Sequence, residues 1–233
     1  EGEQVNIYGN HVGSWNFAAT AYLNRWKVKI YYEHYFDDHS QMFFQYGRWK
    51  DGHIGLEITF PKNRFIDTFV YEGLGTKDQT GPMLYDSFWG KFEEQISAKD
   101  NYYNHYLYQG WQHWGMGIGN PLLPGPIYNK NGQITFISNR VLAHHIGFCG
   151  SPCQSLSYRM LLSYSRHWGT YDNPLNEIKK QFNSLFEVTY APQQLKGWSF
   201  TVSGAMDRGS ILGNNYGGML VIRKQGIIKS GNK

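Results

Sequence analysis

The chain has 233 residues, long enough for one domain with a sizeable core, and its net charge of +4 comes without any run of Lys or Arg. Nothing in that balance points to nucleic acid. Aromatic residues make up 17% (Tyr 18, Phe 14, Trp 8), yet charged residues also reach 17% and mean hydropathy is −0.54. No stretch approaches the roughly 20 apolar residues of a spanning helix, which excludes a helical membrane protein. The sequence opens at Glu1 without a basic and then apolar leader. That is expected if an export signal has been removed or if the chain belongs to a longer protein.

From the N-terminus, Trp15, Phe17, Ala19, Ala21 and Leu23 occupy alternate positions, and side chains on a strand alternate faces. They predict a strand over about 12–23, a turn at Asn24-Arg25 and a return over about 26–36. On the return, Trp26, Val28, Ile30 and Tyr32 point one way; Lys27, Lys29, Tyr31 and Glu33 point the other. A polar loop runs from Asp37-Asp38 to Asp51-Gly52. Ile54, Leu56, Ile58 and Phe60 then mark a third strand, with Glu57 and Thr59 opposite. Pro61-Lys62-Asn63 makes a tight turn, because Pro fixes φ and Asn tolerates unusual backbone angles. The fourth strand, about 65–72, alternates poorly, since Asp67 shares a face with Phe65 and Phe69.

Residues from about 73 to 139 show no clear strand pattern. A loop of that length is normally functional or disordered. The density of Trp89, Tyr102, Tyr103, His105, Tyr106, Tyr108, Trp111, His113 and Trp114 predicts a packed one, with 101–113 compatible with a helix. Strands follow over 141–148 and 156–165, the second with Leu156, Tyr158, Met160, Leu162 and Tyr164 on one face. A loop over about 166–182 leads to Phe186, Val188 and Tyr190, and a short link holds Pro192 and Gly197. Trp198, Phe200 and Val202 alternate with Ser199, Thr201 and Ser203, and a last strand begins near Tyr216. The count is about nine strands. Short links follow the first, third, fifth and seventh, and longer ones separate the hairpins.

Strands wet on one face and apolar on the other, aromatic at their ends, with tight turns on one rim and long loops on the opposite one, are the signature of an outer-membrane β-barrel. The predicted fold class is all-β, a single antiparallel transmembrane β-barrel domain over 1–233. It is an up-and-down meander with short periplasmic turns and a long structured extracellular loop at about 73–139. A soluble β-rich lectin has a similar composition and stays open as the alternative. Single-chain bacterial barrels normally have an even number of strands. Nine therefore call for one more near Val5 to Tyr8, or for a portion beyond this chain, because unpaired edge groups in lipid cost several kcal/mol each.

Lys27, Lys29, Glu33, Glu57, Arg159 and Glu187 would project into the interior. Their mixed signs favour an ion-paired lining over a surface for an acidic polysaccharide. Cys149 and Cys153 bracket Gly150-Ser151-Pro152 in what reads as a hairpin turn, where a disulfide or two free thiols are both open. Zinc would need further ligands, and the adjacent His144 and His145 lie on opposite strand faces. Asp37-Asp38 reads as a solvated acidic loop in preference to a calcium site. No nucleophile elbow, HExxH or Gly-rich phosphate loop is present. Neither catalysis nor a metal nor a cofactor is predicted.

Several segments together carry a family resemblance. They are Gly9-Asn10-His11-Val12-Gly13-Ser14-Trp15, Tyr31-Tyr32-Glu33-His34-Tyr35-Phe36, Gly55-Leu56-Glu57, Tyr71-Glu72 and Thr76-Lys77-Asp78-Gln79. With them go Tyr108-Gln109-Gly110-Trp111-Gln112-His113-Trp114-Gly115, Gly117-Ile118-Gly119-Asn120-Pro121-Leu122 and Asn139-Arg140-Val141. Ser163-Tyr164-Ser165-Arg166, Gly169-Thr170-Tyr171 and Asp207-Arg208-Gly209 complete the set. In number and order they resemble the capsule assembly Wzi family of outer-membrane barrels, over nearly the whole chain. Family members are usually about twice as long, and this chain looks like their C-terminal portion. The resemblance implies a protein of the outer membrane, exposed at the cell surface, that helps assemble or anchor capsular or exopolysaccharide as a non-catalytic lectin. Outer-membrane lipid and other outer-membrane proteins would be its further partners. Trp and Tyr on the long loop can stack on sugar rings, which makes Trp111, Trp114, His113, Tyr108 and Gln109 the candidate glycan contacts. The rivals are a general porin, a component of an outer-membrane transport complex, an outer-membrane enzyme and a soluble lectin.

Overall fold

The structure is a computed structural model that describes residues 13–36, 51–63, 65–79, 85–86, 95–96, 100–104 and 111–226. The strand expected near Val5 to Tyr8, the Asp37-Asp38 loop and Trp89, His105, Tyr106, Tyr108 and Gln109 lie outside the described residues. The chain begins with strands β1 (Gly13–Leu23), β2 (Trp26–Phe36), β3 (Gly52–Thr59) and β4 (Thr68–Gly75). Two ribbons follow, β5 (Tyr85–Asp86) with β6 (Gln95–Ile96) and β7 (Gln112–His113) with β8 (Met116–Gly117). After a 3-10 turn at Pro126–Tyr128 come β9 (Val141–Cys153), β10 (Leu156–Gly169), β11 (Pro174–Tyr190), β12 (Trp198–Gly209) and β13 (Asn215–Lys224). Nine strands make one antiparallel sheet in the order β1-β2-β3-β4-β9-β10-β11-β12-β13. The expected all-β antiparallel meander is what forms. Among the described residues, β1 pairs only with β2 and β13 only with β12.

One register runs through the sheet. Val28 faces Ile58, Ile58 faces Phe69, Phe69 faces Phe148, Phe148 faces Met160, and Met160 faces Phe186. Side chains alternate with a period of two, so this row fixes a whole apolar face and gives Lys29, Glu57 and Val70 to the other. Most of the apolar face is left uncovered by the described residues, although at its plug end His34, in phase with Val28, Ile30 and Tyr32, is buried. Ile30 is 55% exposed, Phe186 50%, Val202 62% and Leu220 64%. Aromatic rings crowd its ends: Trp26 packs on Phe60 at 5.0 Å, and Trp198 stacks along Phe200 at 6.4 Å. The polar face is closed at one end by the segment between β4 and β9. There Leu74, Leu123, Val141 and Ala143 form a small buried core, with Tyr35, Tyr103 and Leu122 packed against it.

Several boundaries differ from the sequence reading. Strand β4 starts at Thr68, so Phe65 and Asp67 precede it, and the broken alternation disappears. The Asn63 side chain organises that turn, accepting from the backbone N–H groups of Phe65 and Ile66 and donating to the Pro61 and Ile66 carbonyls. Strand β9 runs through the cysteines and turns at Gln154-Ser155. Cys149 and Cys153 thus lie on one strand, four residues and roughly 13 Å apart, beyond disulfide reach, and both are free thiols. The Gly150-Ser151-Pro152 chemistry that reads as a turn sits at a register shift opposite Leu156 and Tyr158. The loop expected over 166–182 is instead a hairpin extension, since β10 reaches Gly169 and β11 starts at Pro174. Its turn is closed by Thr170 Oγ1 accepting from the Asn173 N–H at 2.9 Å, with Gly169 at φ 84. Two links on that rim, 170–173 and 210–214, are therefore tight, and the long ones precede β3 and β9. Gln112–His113 belongs to a ribbon and Tyr102–Tyr103 to a turn, so the suggested helix over 101–113 is not formed by its described residues.

An arginine placed at depth on a bilayer-facing strand costs about 2–4 kcal/mol, whereas at a water-exposed site a substitution stays within about 0.5 kcal/mol. Val202→Arg is expected to lower the unfolding free energy measured in lipid vesicles by the larger amount. A change within about 0.5 kcal/mol would leave that face in water.

Candidate functional site

The polar strand faces meet in a lining of paired charges. Lys27 Nζ lies 3.5 Å from Glu57 Oε1, and Arg159 Nη2 lies 3.3 Å from Glu187 Oε1. His53 sits 3.5 Å from Glu33 on one side and 3.5 Å from Glu72 on the other. The Tyr35 hydroxyl donates to Glu33 at 3.3 Å, and the Tyr31 hydroxyl donates to Glu72. Lys29 Nζ stands 5.2 Å over the Tyr31 ring. Lys27, Lys29, Glu33, Glu57 and Arg159 share this face as the alternation predicts; all but Lys29, which stands over the Tyr31 ring, take part in the paired charges. Half-exposed pairs of this kind contribute about 0–1 kcal/mol each. Their effect is to compensate most of the charge on this face. His144 and His145 do split between the faces: His145 Nδ1 is 2.7 Å from Ser163 Oγ, and His144 Nδ1 is 2.8 Å from the Tyr71 hydroxyl.

At the end of the polar face opposite the Asn24-Arg25 turn, buried polar groups tie the plug to the sheet. The Asp51 carboxylate accepts from the backbone N–H of Asp78 (2.8 Å) and Gln79 (2.6 Å) and from the Tyr102 hydroxyl (3.0 Å). Thr76 Oγ1 donates to the Asn139 carbonyl at 2.6 Å and accepts from the Val141 N–H at 3.1 Å. Gln79 Nε2 donates to the same carbonyl at 3.0 Å. Asn139 Nδ2 donates to Asn101 Oδ1 (2.6 Å) and to the Tyr102 carbonyl (2.8 Å), and the Tyr171 hydroxyl donates to the Asp78 carbonyl at 2.9 Å. Thr76-Lys77-Asp78-Gln79, Asn139-Arg140-Val141 and Gly169-Thr170-Tyr171 thus meet in one knot. Gln79 (φ 41) and Tyr103 (φ 70) take the left-handed backbone region there, at a cost on the order of 1–3 kcal/mol each. The knot's bonds offset that strain.

The plug segment Asn120–Pro124 divides two cavities. One, of about 370 Å³, is lined by Glu33, Tyr35, His53, Tyr102, Tyr103 and Asn120. The other, of about 240 Å³, is lined by Leu122, Ser163, His167, Gln181 and Asn183. Of the five candidate glycan contacts, two stand at a ribbon tip. Trp114 is 84% exposed at φ 52, its ring edge-on to exposed His113 at 6.2 Å. Trp111 is half-buried beside the Tyr103 ring at 6.3 Å, so it packs the ribbon onto the plug. Tyr108 and Gln109 lie outside the described residues. Sequence reasoning singled out neither Asp51 nor His53, and their partners lie on other strands or loops, where no local spacing reveals them.

Compared with known proteins, the chain matches no family model, no curated protein and no solved structure.

Burial pushes the Asp51 carboxyl from its usual 3.8 up to about 6, although its three donors pull the other way. A carboxyl that holds its proton more tightly when folded stabilises the fold at low pH and loses that contribution as pH rises. Hydrogen-exchange protection of residues 100–104 is therefore expected to fall as pH rises from 3.8 to about 6. Asp51→Asn should flatten that profile and weaken protection by about 1–3 kcal/mol, because its amide presents hydrogens to backbone donors. A variant with the wild-type profile would remove Asp51 from the knot's energetics.

Proposed function

We propose that this protein is a wall of an outer-membrane β-barrel that binds surface polysaccharide at its plugged rim and helps assemble or anchor capsule or exopolysaccharide, without catalysis. The observation that carries this reading is the uncovered apolar face, on which Ile30, Val202 and Leu220 are each more than half exposed. A soluble sandwich would bury such a face against a second layer. Hydrocarbon makes it an ordinary lipid contact, and the rings of Trp26, Trp198 and Phe200 fall where the bilayer meets water. A general porin has less support, because the plug fills one end of the interior with a buried core.

The segments that resemble the Wzi family support the polysaccharide role. Three of them build the knot that holds the plug. The plug in turn presents Trp114 to solvent. An exposed indole offers a flat apolar face to the C–H side of a sugar ring, and His113 beside it offers hydrogen bonds. The sugar itself is identified by nothing narrower than this chemistry.

Trp114→Ala should weaken retention of capsular polysaccharide by about two- to twelvefold, the ~0.5–1.5 kcal/mol of one aromatic contact. The folded protein should keep its heat-modifiable migration on a detergent gel. Unchanged retention with that shift intact would remove Trp114 from the binding surface. A large single-channel conductance would instead favour the porin.

A further inference from the structure

On the plug side, the apolar face ends in cations. Arg166 faces Leu142 on one neighbouring strand and Lys180 on the other, and Arg208 faces Phe182. Arg140 continues the register one step beyond β9, with the Trp168 N–H donating to its carbonyl at 3.0 Å. Lys77 lies two residues past Gly75, itself paired with Leu142. The period of two places all five on the apolar face, across β4 to β12. That is four strand spacings, or roughly 20 Å.

Two rings organise the cluster. Lys77 Nζ is 4.7 Å and the Arg166 guanidinium 5.5 Å from the centre of the Trp168 ring, and the Arg140 guanidinium is 3.7 Å from that of Tyr171. Among the described residues, none of the five cations forms an ion pair; the pairs that do form lie on the polar face. Glu177 alternates with Ile178 and Lys180 toward the other face, and Asp172 accepts a bond from Asn101. On the opposite rim, the same face offers Lys224 over Trp198 at 5.6 Å. That rim also carries Arg25, Lys62 and Lys196, but in its turns, whereas the five plug-side cations lie on or in line with the strands of the apolar face.

Like charges gathered on one face repel, and the acids nearest them, Asp78 and Asp51, act only at the Tyr171 end beside Arg140. An arginine stacked on a ring still presents the edge of its guanidinium fork, which suits a phosphate. We propose that this basic rim binds the phosphate groups of an anionic membrane lipid, whose acyl chains run along the adjoining apolar rows through Leu142, Ile146 and Leu162. The proposal rests on the membrane reading above. It commits to a lipid because the cations continue directly into an uncovered apolar surface, which free phosphate would not use.

The test uses the protein purified in a non-ionic detergent, with bound ligand read by native mass spectrometry. The probes are lipid A, its dephosphorylated form and inorganic phosphate. The variant is K77Q/R166Q/K180Q/R208Q, which keeps Arg140, whose Nε donates to the Lys77 carbonyl at 3.0 Å. Wild type should retain lipid A at least tenfold more tightly than the dephosphorylated lipid, and the variant should lose that preference. Inorganic phosphate at equal concentration should displace none of it. Equal retention of the two lipids by wild type, an unchanged preference in the variant, or displacement by free phosphate would each overturn the proposal. Heat-modifiable migration on the same samples separates the two levels. A shifted band without phosphate preference sinks the basic rim alone. A band that does not shift sinks the barrel reading and the lipid site with it.

Discussion

A single two-residue register, carried through nine strands, is the constraint on which the rest of the structure depends. Once Val28, Ile58, Phe69, Phe148, Met160 and Phe186 align in one row, every neighbouring side chain is assigned to a face. The two faces then make opposite demands. The apolar one has no protein layer over most of its length among the described residues, and an apolar environment would stabilise it. The polar one needs its charges compensated, and mixed signs on adjacent strands supply that with Lys27 beside Glu57 and Arg159 beside Glu187.

The two rims answer to different physics. At the Asn24-Arg25 end the chain reverses in short links, and the aromatic ends of the strands crowd together. At the opposite end the polar face is capped by a segment whose apolar core is only a few residues, so polar bonding does much of the holding. Asp51, Thr76, Gln79 and Asn139 are almost fully buried there. Removing one partner from such a network exposes the others to a desolvation cost, which makes the knot cooperative. A rigid plug is also what a surface ribbon needs if its Trp114 ring is to stand ready for a ligand without first being ordered.

What could be read in the sequence was local. The β1–β2 hairpin and the Trp198 strand were legible because alternation and a tight turn are properties of adjacent residues. Strand β4 was misjudged because Phe65 and Asp67 lie in a turn organised by Asn63, yet look like members of the strand. The stretch from Arg166 to Phe182 reads as a loop because it is rich in charge, but it folds back on itself, with Arg166 facing Lys180 and His167 facing Lys179. The cysteines leave a bridge and two free thiols both open because Gly150-Ser151-Pro152 is turn chemistry; longer pairing carries the strand past it and leaves both thiols free. The knot was hidden for another reason. Asp51 finds its donors at Asp78, Gln79 and Tyr102, and a hydrogen bond across that separation leaves no periodic trace. The basic rim has no local signature, because its five cations come from five separate segments.

The most direct measurement is the environment of successive side chains along β10. A spin label would be moved one residue at a time from Met160 to Arg166, in protein reconstituted into lipid vesicles with Cys149→Ser and Cys153→Ser. Collisions with oxygen dissolved in the lipid should be frequent at Met160, Leu162 and Tyr164 and rare at Leu161, Ser163 and Ser165. Uniform access along the strand, or a water-soluble relaxant reaching Met160, Leu162 and Tyr164 freely, would show that the apolar face does not lie in a membrane.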